Sequence, residues 1–288
     1  MSYSSMYRQS IDEGPGFWLN QARQIDWVRF PTTALQQKDN GLYEWFADGL
    51  LNICYLAADR HVQAGRGSDT AIIYDSPVTG VKEHISFAQL QHQTAKLAGA
   101  LLNLGVQKGD RVVIFMPMIP QAAIAMLACA RIGAIHSVVF GGFAPHELAL
   151  RIDDATPRLI LTASCGIEFD KVIPYVPLVE KAIAEADFKP EKVLVFQRPQ
   201  HEAQLPEGYA DWQQLTAQAP EADAVPVEST HPLYILYTSG TTGKPKGIVR
   251  DTGGYAVALQ FSMGHIYHVK PGDTFWAASD VGWVVGHS

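Results

Sequence analysis

The chain has 288 residues, 47% of them hydrophobic and 18% charged, and its 22 basic against 29 acidic residues leave a formal charge of -7. This composition excludes a disordered chain and leaves room for one large domain or two small ones. With no run of Lys and Arg, it also argues against broad nucleic-acid binding.

In chain order, the N-terminus lacks a basic start followed by an apolar stretch, so no secretory signal is expected. Residues 1–65 form an aromatic-rich arm with Trp18, Trp27 and Trp45, too poor in core of its own to do more than lie over another surface. Within it, "LYEWFADGLLNICYLAADRHV" predicts a helix. Two β-branched runs, 70–75 and 81–86, flank "SPVTG" and read as a hairpin. Ser86 and Gln89 make a capping box for a helix with Leu90, Thr94, Leu97, Leu101 and Leu104 on one face, ending at Gly105.

Strand-like and helical runs then alternate: "RVVIFM", an Ala-rich helix after Pro120, "IHSVVF", a helix from Pro145 with the weak cap Ala144, "RLILTA", a helix from about 172, and "KVLVFQ". This rhythm predicts an α/β fold, a mostly parallel sheet with helices on both faces. The stretch 197–230 reads as a surface excursion, "PLYILYTS" as a return to the sheet and "TFWAAS" as a further strand. The most apolar helix, "PQAAIAMLACARIGA", is too short to span a bilayer, so no membrane association is expected. Cys54, Cys129 and Cys165 are isolated and point to free thiols in a reducing compartment, and together these features predict a cytoplasmic protein. Because the chain stops on an apolar segment directly after an expected strand, a fragment of a longer protein is expected.

The most informative stretch is "YTSGTTGKPKG", 237–247, directly after a buried strand. Thr238, Ser239, Thr241 and Thr242 supply hydroxyl donors, Gly240, Gly243 and Gly247 let backbone approach an anion, and Lys244 adds charge. Lys246 either shares that field or caps the following segment. Such a nest suits polyphosphate. It is not a Walker A loop, because Thr238 stands at the first Gly position and Pro245 at the Mg²⁺-binding hydroxyl position. Other features are bland: His265 and His268 lack a third metal ligand, His136 reads as a satisfied core histidine, and no hydrolase elbow appears.

The loop satisfies [ST]-[SG]-G-[ST]-[ST]-G-x-P-K-G at every position and resembles the phosphate-loop signature of the adenylate-forming superfamily. "WLNQARQIDW", "LNICYLAADRHV", "GDRVVIFMPMIPQAAIAMLACARIGAIHSVVFGGF" and "DVGWVVGHS" resemble short-chain acyl-CoA synthetases, the acetyl- and propionyl-CoA branches, and "GIEFDKVI" looks closest to the propionate branch. The resemblance implies an incomplete large N-terminal domain, with 66–288 a partial AMP-binding domain. It implies attack of a short-chain carboxylate, propionate first and acetate next, on Mg·ATP. Acyl-adenylate and pyrophosphate form, and the CoA thiol then takes the acyl group and releases AMP.

By the same resemblance, Thr238, Ser239, Gly240, Thr241, Thr242, Gly243 and Lys244 hold the β- and γ-phosphates. Phe140, Gly141 and Gly142 lie against CoA, unless their turn only packs a helix. Where acetyl-CoA synthetases carry two Arg for the CoA phosphates this chain has Glu168 and Lys171, so only Lys171 carries over, and an exposed Lys at a helix start is an equal reading. Trp283 and Val284 line the acyl pocket, with core packing as the alternative, and Val285 replaces a Thr of acetyl-CoA synthetases, which suits a more apolar acid. The catalytic lysine and Mg²⁺ ligands are expected beyond residue 288, leaving these residues inactive alone. A different adenylate-forming ligase, for a medium-chain acid or amino acid, and a non-catalytic nucleotide-binding protein are the competing readings.

Overall fold

Runs such as Arg111–Met116 and Ile135–Phe140 bury nearly every side chain, which only a sheet covered on both faces permits. The computed structural model describes residues 2–238 and 245–287. The arm begins with helices α1 (Tyr3–Asp12) and α2 (Pro15–Gln21), then strands β1 (Leu35–Gln37), β2 (Tyr43–Trp45) and β3 (Leu50–Leu51). The helix expected across this last stretch therefore starts only at Ile53. The reason is a chain reversal: Phe46 adopts a left-handed φ of 53°, and the backbone at Gly49 lies so close to the Trp27 ring that a Cβ would sit 2.6 Å from it. As expected, the arm borrows its core. Phe17, Ala22, Ile25, Phe46 and Leu51 cluster with Ala256 and Val257 from the far end of the chain.

The hairpin follows as β4 (Thr70–Ser76) and β5 (Val81–Ser86), antiparallel. Helix α3 (Phe87–Asn103) opens on the reciprocal capping box of Ser86 and Gln89 and buries Leu90, Thr94, Leu97 and Leu101. The alternating region gives β6 (Arg111–Met116), α4 (Pro120–Arg131), β7 (Ile135–Phe140), α5 (Pro145–Ala155), β8 (Leu159–Ala163), the short strands β9 (Cys165–Glu168) and β10 (Lys171–Pro174), α6 (Val176–Glu185) and β11 (Lys192–Phe196). Thereafter come β12 (Tyr209–Asp211), α7 (Trp212–Gln218), β13 (Val227–Glu228), β14 (Pro232–Thr238), β15 (Lys246–Asp251), α8 (Gly253–His265) and α9 (Val284–His287).

Seven strands form the main sheet in the order β12-β11-β8-β6-β7-β14-β15. All neighbours are parallel except β14 and β15. Alternate residues of each strand face opposite layers. Val112, Ile114 and Met116 pack with α3 and α4, while Val113 and Phe115 pack with α5 and α6.

Three expectations need correcting. The helix placed from about 172 starts at Val176, because Cys165–Glu168 and Lys171–Pro174 pair as a hairpin first. The stretch 197–230 is not a mere excursion: β12 extends the sheet, and Trp212 is buried in the core after an Asp211 cap. "TFWAAS" forms no strand among the described residues, where no neighbouring ladder receives it, and Trp276 is 81% exposed.

A buried ion pair ties the arm to the sheet domain. Arg131 Nη1 and Nη2 donate to the two Asp59 oxygens at 2.7 and 2.9 Å, and its Nε donates to the Ala222 carbonyl. Burial opposes the Asp59 charge, yet hydrogen bonds from Arg131 and Gln91 outweigh it and hold the carboxyl below its usual range. Asn52 completes the joint by donating to the Ala130, Arg131 and Val225 carbonyls. Removing the guanidinium strands a buried carboxylate. Arg131→Met is expected to lower unfolding free energy by about 3–5 kcal/mol, read from urea denaturation, whereas a loss below about 1 kcal/mol would show the joint to be dispensable.

Candidate functional site

Strands β6, β7, β8 and β14 are parallel, so their carboxyl ends, Met116, Phe140, Ala163 and Thr238, reach one edge of the sheet. The chain runs from β6 to β7 on one side, then crosses back so that β8 flanks β6 on the other. That reversal opens a crevice at the strand ends, where ligands of open α/β sheets bind.

Of the loop residues singled out above, Thr238 closes β14 with an exposed side chain, and Lys246 opens β15 as its Cα partner. Ser239, Gly240, Thr241, Thr242, Gly243 and Lys244 lie outside the described residues. The two flanking strands pair antiparallel over Pro232–Asp251. This connection joins strand to strand, whereas a Walker A loop leads from strand to helix, which gives a second reason to reject that motif.

Helix α5 braces the end of β14, where the loop begins. The Tyr237 hydroxyl, one residue before Thr238, donates to Asp154 Oδ2 at 2.6 Å, and burial followed by that carboxylate pushes the phenol up. Arg151 is buried, and its guanidinium carbon lies 4.5 Å from the Phe143 ring centre and 5.5 Å from that of Tyr237. Glu147, the carboxylate that meets it at 2.8 Å, is itself 43% exposed. A delocalised cation between two aromatic faces is a stable arrangement, and here, paired with Glu147, it packs the end of β14 against α5. Sequence reading missed Arg151 and Asp154. The available signal was a charge at Arg151 on the face that also carries Leu148 and Ile152.

The turn after β7 holds Phe140, Gly141, Gly142 and Phe143. A Cβ on Gly141 would lie 2.6 Å from the Tyr175 hydroxyl and 2.9 Å from the Met116 carbonyl oxygen, so its missing side chain already serves close packing. Tyr175 is pushed up to about 12, first by burial and then by the Asp280 charge. Lys171 is on strand β10 with its Cα opposite that of Glu168, not at a helix start, so the hairpin presents one positive and one negative charge.

The structure brings the two ends of this site together. The Trp283 ring sits 5.9 Å from both Phe140 and Phe143, and a Cβ on Gly282 would meet the Phe140 backbone at 2.8 Å. Trp283 and Val284 are 42% and 52% exposed, on the open side of the turn rather than in the core. Behind them, His287 is buried, and its Nδ1 lies 3.0 Å from the Val281 carbonyl oxygen. Its Nε2 meets His136 Nε2 at 3.2 Å. His136 is thus only half satisfied: its Nδ1 is buried with no hydrogen-bond partner among the described residues. Burial, followed by the neighbouring imidazole, holds His136 well below the ordinary value, and burial lowers His287 to about 4.

Residues 59–288 match the family model described as AMP-binding enzyme, and residues 3–57 match that of the acetyl-coenzyme A synthetase N-terminus. The chain is 54% identical to the Bos taurus protein named acyl-CoA synthetase short-chain family member 3, mitochondrial, over 99% of this chain and 42% of that one. It is 48% identical to the Salmonella typhimurium propionate--CoA ligase, over 100% of this chain and 46% of that one. Among solved structures, an acetoacetyl-CoA synthetase from Streptomyces lividans superposes with a TM-score of 0.90 at 29% identity, covering 100% of this chain and 44% of that chain. The chain therefore spans less than half the length of these relatives.

The buried imidazoles make stability depend on pH. Unfolded, both take up protons near the ordinary 6.5; folded, they stay neutral to much lower pH. Their contribution is fully present above about pH 6.5 and is lost as pH falls toward about 4. For His287 alone the loss at pH 5 is roughly 2 kcal/mol. Asp251 and Asp280, which burial raises, work in the opposite direction but equally in wild type and variant. Between pH 7 and pH 5, wild type is expected to lose roughly 2 kcal/mol more than His287→Phe in urea titrations. Equal losses would contradict neutral burial.

Proposed function

We propose, from the premise that the chain belongs to the AMP-binding enzyme family, that it forms the nucleotide-phosphate and acyl-binding part of a short-chain acid–CoA ligase. The intact protein activates propionate, with acetate next, to an acyl-adenylate and then to acyl-CoA, in the cytoplasm. The observation that supports this reading is that "YTSGTTGKPKG" runs from the end of β14 to the start of β15, with Thr238 at the sheet edge that also carries the Phe140–Phe143 turn and Trp283. In this reading residues 1–65 are the acetyl-CoA-synthetase-type arm and 66–288 part of the AMP-binding domain.

Nucleotidyl transfer depends on positioning and on stabilising developing charge. Thr238, Ser239, Gly240, Thr241, Thr242, Gly243 and Lys244 grip the β- and γ-phosphates, and Lys246 at the loop's exit shares that field. Arg151, buried against Phe143 and Tyr237 and paired with Glu147, holds the strand end from which the loop departs. Mg²⁺ arrives with ATP, and no residue of this chain is assigned to it. Trp283 and Val284 receive the alkyl tail, where an apolar lining with Val285 in place of a hydroxyl favours propionate over acetate. Phe140, Gly141 and Gly142 offer a surface for CoA, and Lys171 serves its phosphates as a point charge that Glu168 opposes across the hairpin.

Two measurements on the intact protein test this. Pyrophosphate exchange with a panel of carboxylic and amino acids is expected to be fastest with propionate, about tenfold over acetate in kcat/KM. Replacing Gly240 and Lys244 together by Ala is expected to lower exchange at least about 100-fold while the urea midpoint is unchanged. Undiminished exchange in a folded double variant would overturn the phosphate assignment, and a best rate with an amino acid would move the protein to another branch of the family.

A further inference from the structure

Two imidazoles 3.2 Å apart through their Nε2 atoms cannot both accept. The Val281 carbonyl, 3.0 Å from His287 Nδ1, can only accept, so that nitrogen carries the proton. His287 Nε2 of the neutral ring is then an acceptor, and the proton between the rings belongs to His136. A chain of fixed polarity results: His136 Nε2–H donates to His287, and His287 Nδ1–H donates to Val281.

The second bond closes the turn that carries Trp283 and Val284. Other contacts brace the same turn: Gly282 N–H donates to Asp280 Oδ1 at 2.7 Å, and Val281 N–H reaches Met118 Sδ at 3.3 Å. Backbone bonds close the turn as well, with Trp283 N–H donating to the Asp280 carbonyl and His287 N–H to the Trp283 carbonyl; the imidazole bond adds a side-chain link from residue 287 back to 281. The Nδ1-protonated tautomer of His287 is favoured from both ends: the Val281 carbonyl needs a donor, and the His136 N–H needs an acceptor at His287 Nε2. The Tyr234 ring, 4.2 Å from His287 and 5.7 Å from His136, packs both imidazoles in place from strand β14.

We propose that His136 is a positioning residue for acid selection: by donating to His287 it fixes the tautomer that staples the Val281–His287 turn and so holds Trp283 and Val284 in place. The proposal rests on the reading that this turn receives the alkyl tail of the acid.

The test combines spectroscopy and kinetics on the intact protein. Long-range ¹H–¹⁵N spectra of histidine-labelled protein at pH 7 are expected to show the proton on Nδ1 of His287 and on Nε2 of His136; the reverse tautomer on His287 overturns the proposal. His136→Phe keeps the ring and removes the donor, whereas His136→Gln keeps a donor N–H at similar reach. The Phe variant is expected to lose about tenfold in propionate-over-acetate preference, with KM for ATP unchanged and the Trp283 indole resonance shifted, and the Gln variant to recover most of both. Should the Phe variant not fold, the His287 tautomer and the Gln variant still decide the matter, since loss of selectivity in a folded Gln variant with the donor bond intact overturns the proposal. Val284→Ala separates the two levels. If it leaves acid preference unmoved, the pocket reading fails. If it shifts preference while a folded His136→Phe shifts neither preference nor the Trp283 resonance, the role of His136 fails.

Discussion

The rest of this structure depends on one constraint: the central sheet is dry on both faces. Val112, Ile114 and Met116 bury against one helical layer and Val113 and Phe115 against the other, leaving no wall on which polar groups could meet a charged ligand. Unpaired polar groups are costly in such an interior, and His136 Nδ1 on β7 is an exception among the described residues. Room for a charged ligand is therefore left at the ends of the strands. Parallel pairing delivers four carboxyl ends to one edge, and the reversal of strand order around β6 parts the connections there.

What holds this edge together is a set of contacts between connections, not within them. Helix α5 spans two of them, with Arg151 between Phe143 and Tyr237 and Asp154 on the Tyr237 hydroxyl. Tyr175 fills the space that Gly141 leaves, coupling the turn after β7 to the connection after β8. Trp283 closes the group against Phe140 and Phe143. A shift at any of these points is transmitted to the others because the packing leaves little slack. The N-terminal arm stands apart from this edge and is fastened by the buried Arg131–Asp59 pair and by the aromatic cluster around Phe46.

Much of the fold was legible in the sequence where local and global preferences agree. The capping box at Ser86, the hairpin turn at 76–81 and the largely apolar strands β6, β7 and β8 are written in short windows. The misreadings fall where tertiary contacts override the local pattern. A helical rhythm over 42–62 is broken by a reversal around Trp27, and β9 and β10 pair with each other before α6 can begin. The motif of residues 237–247 stood out in the sequence because a hydroxyl- and glycine-rich stretch after a core strand is chemically unusual. Arg151, Asp154, Tyr175 and the His136–His287 pair were not, since each acts through a partner distant in sequence: 83 positions separate Asp154 from Tyr237, and 151 separate the two histidines.

The central claim is that the connection from Thr238 to Lys246 receives the triphosphate end of a nucleotide. Hydrogen–deuterium exchange on the intact protein, with and without Mg·ATP and with pyrophosphate alone, tests it most directly. Amides across 238–246 are predicted to slow with both ligands. Unchanged exchange there, with ATP protecting a surface elsewhere, would contradict the account.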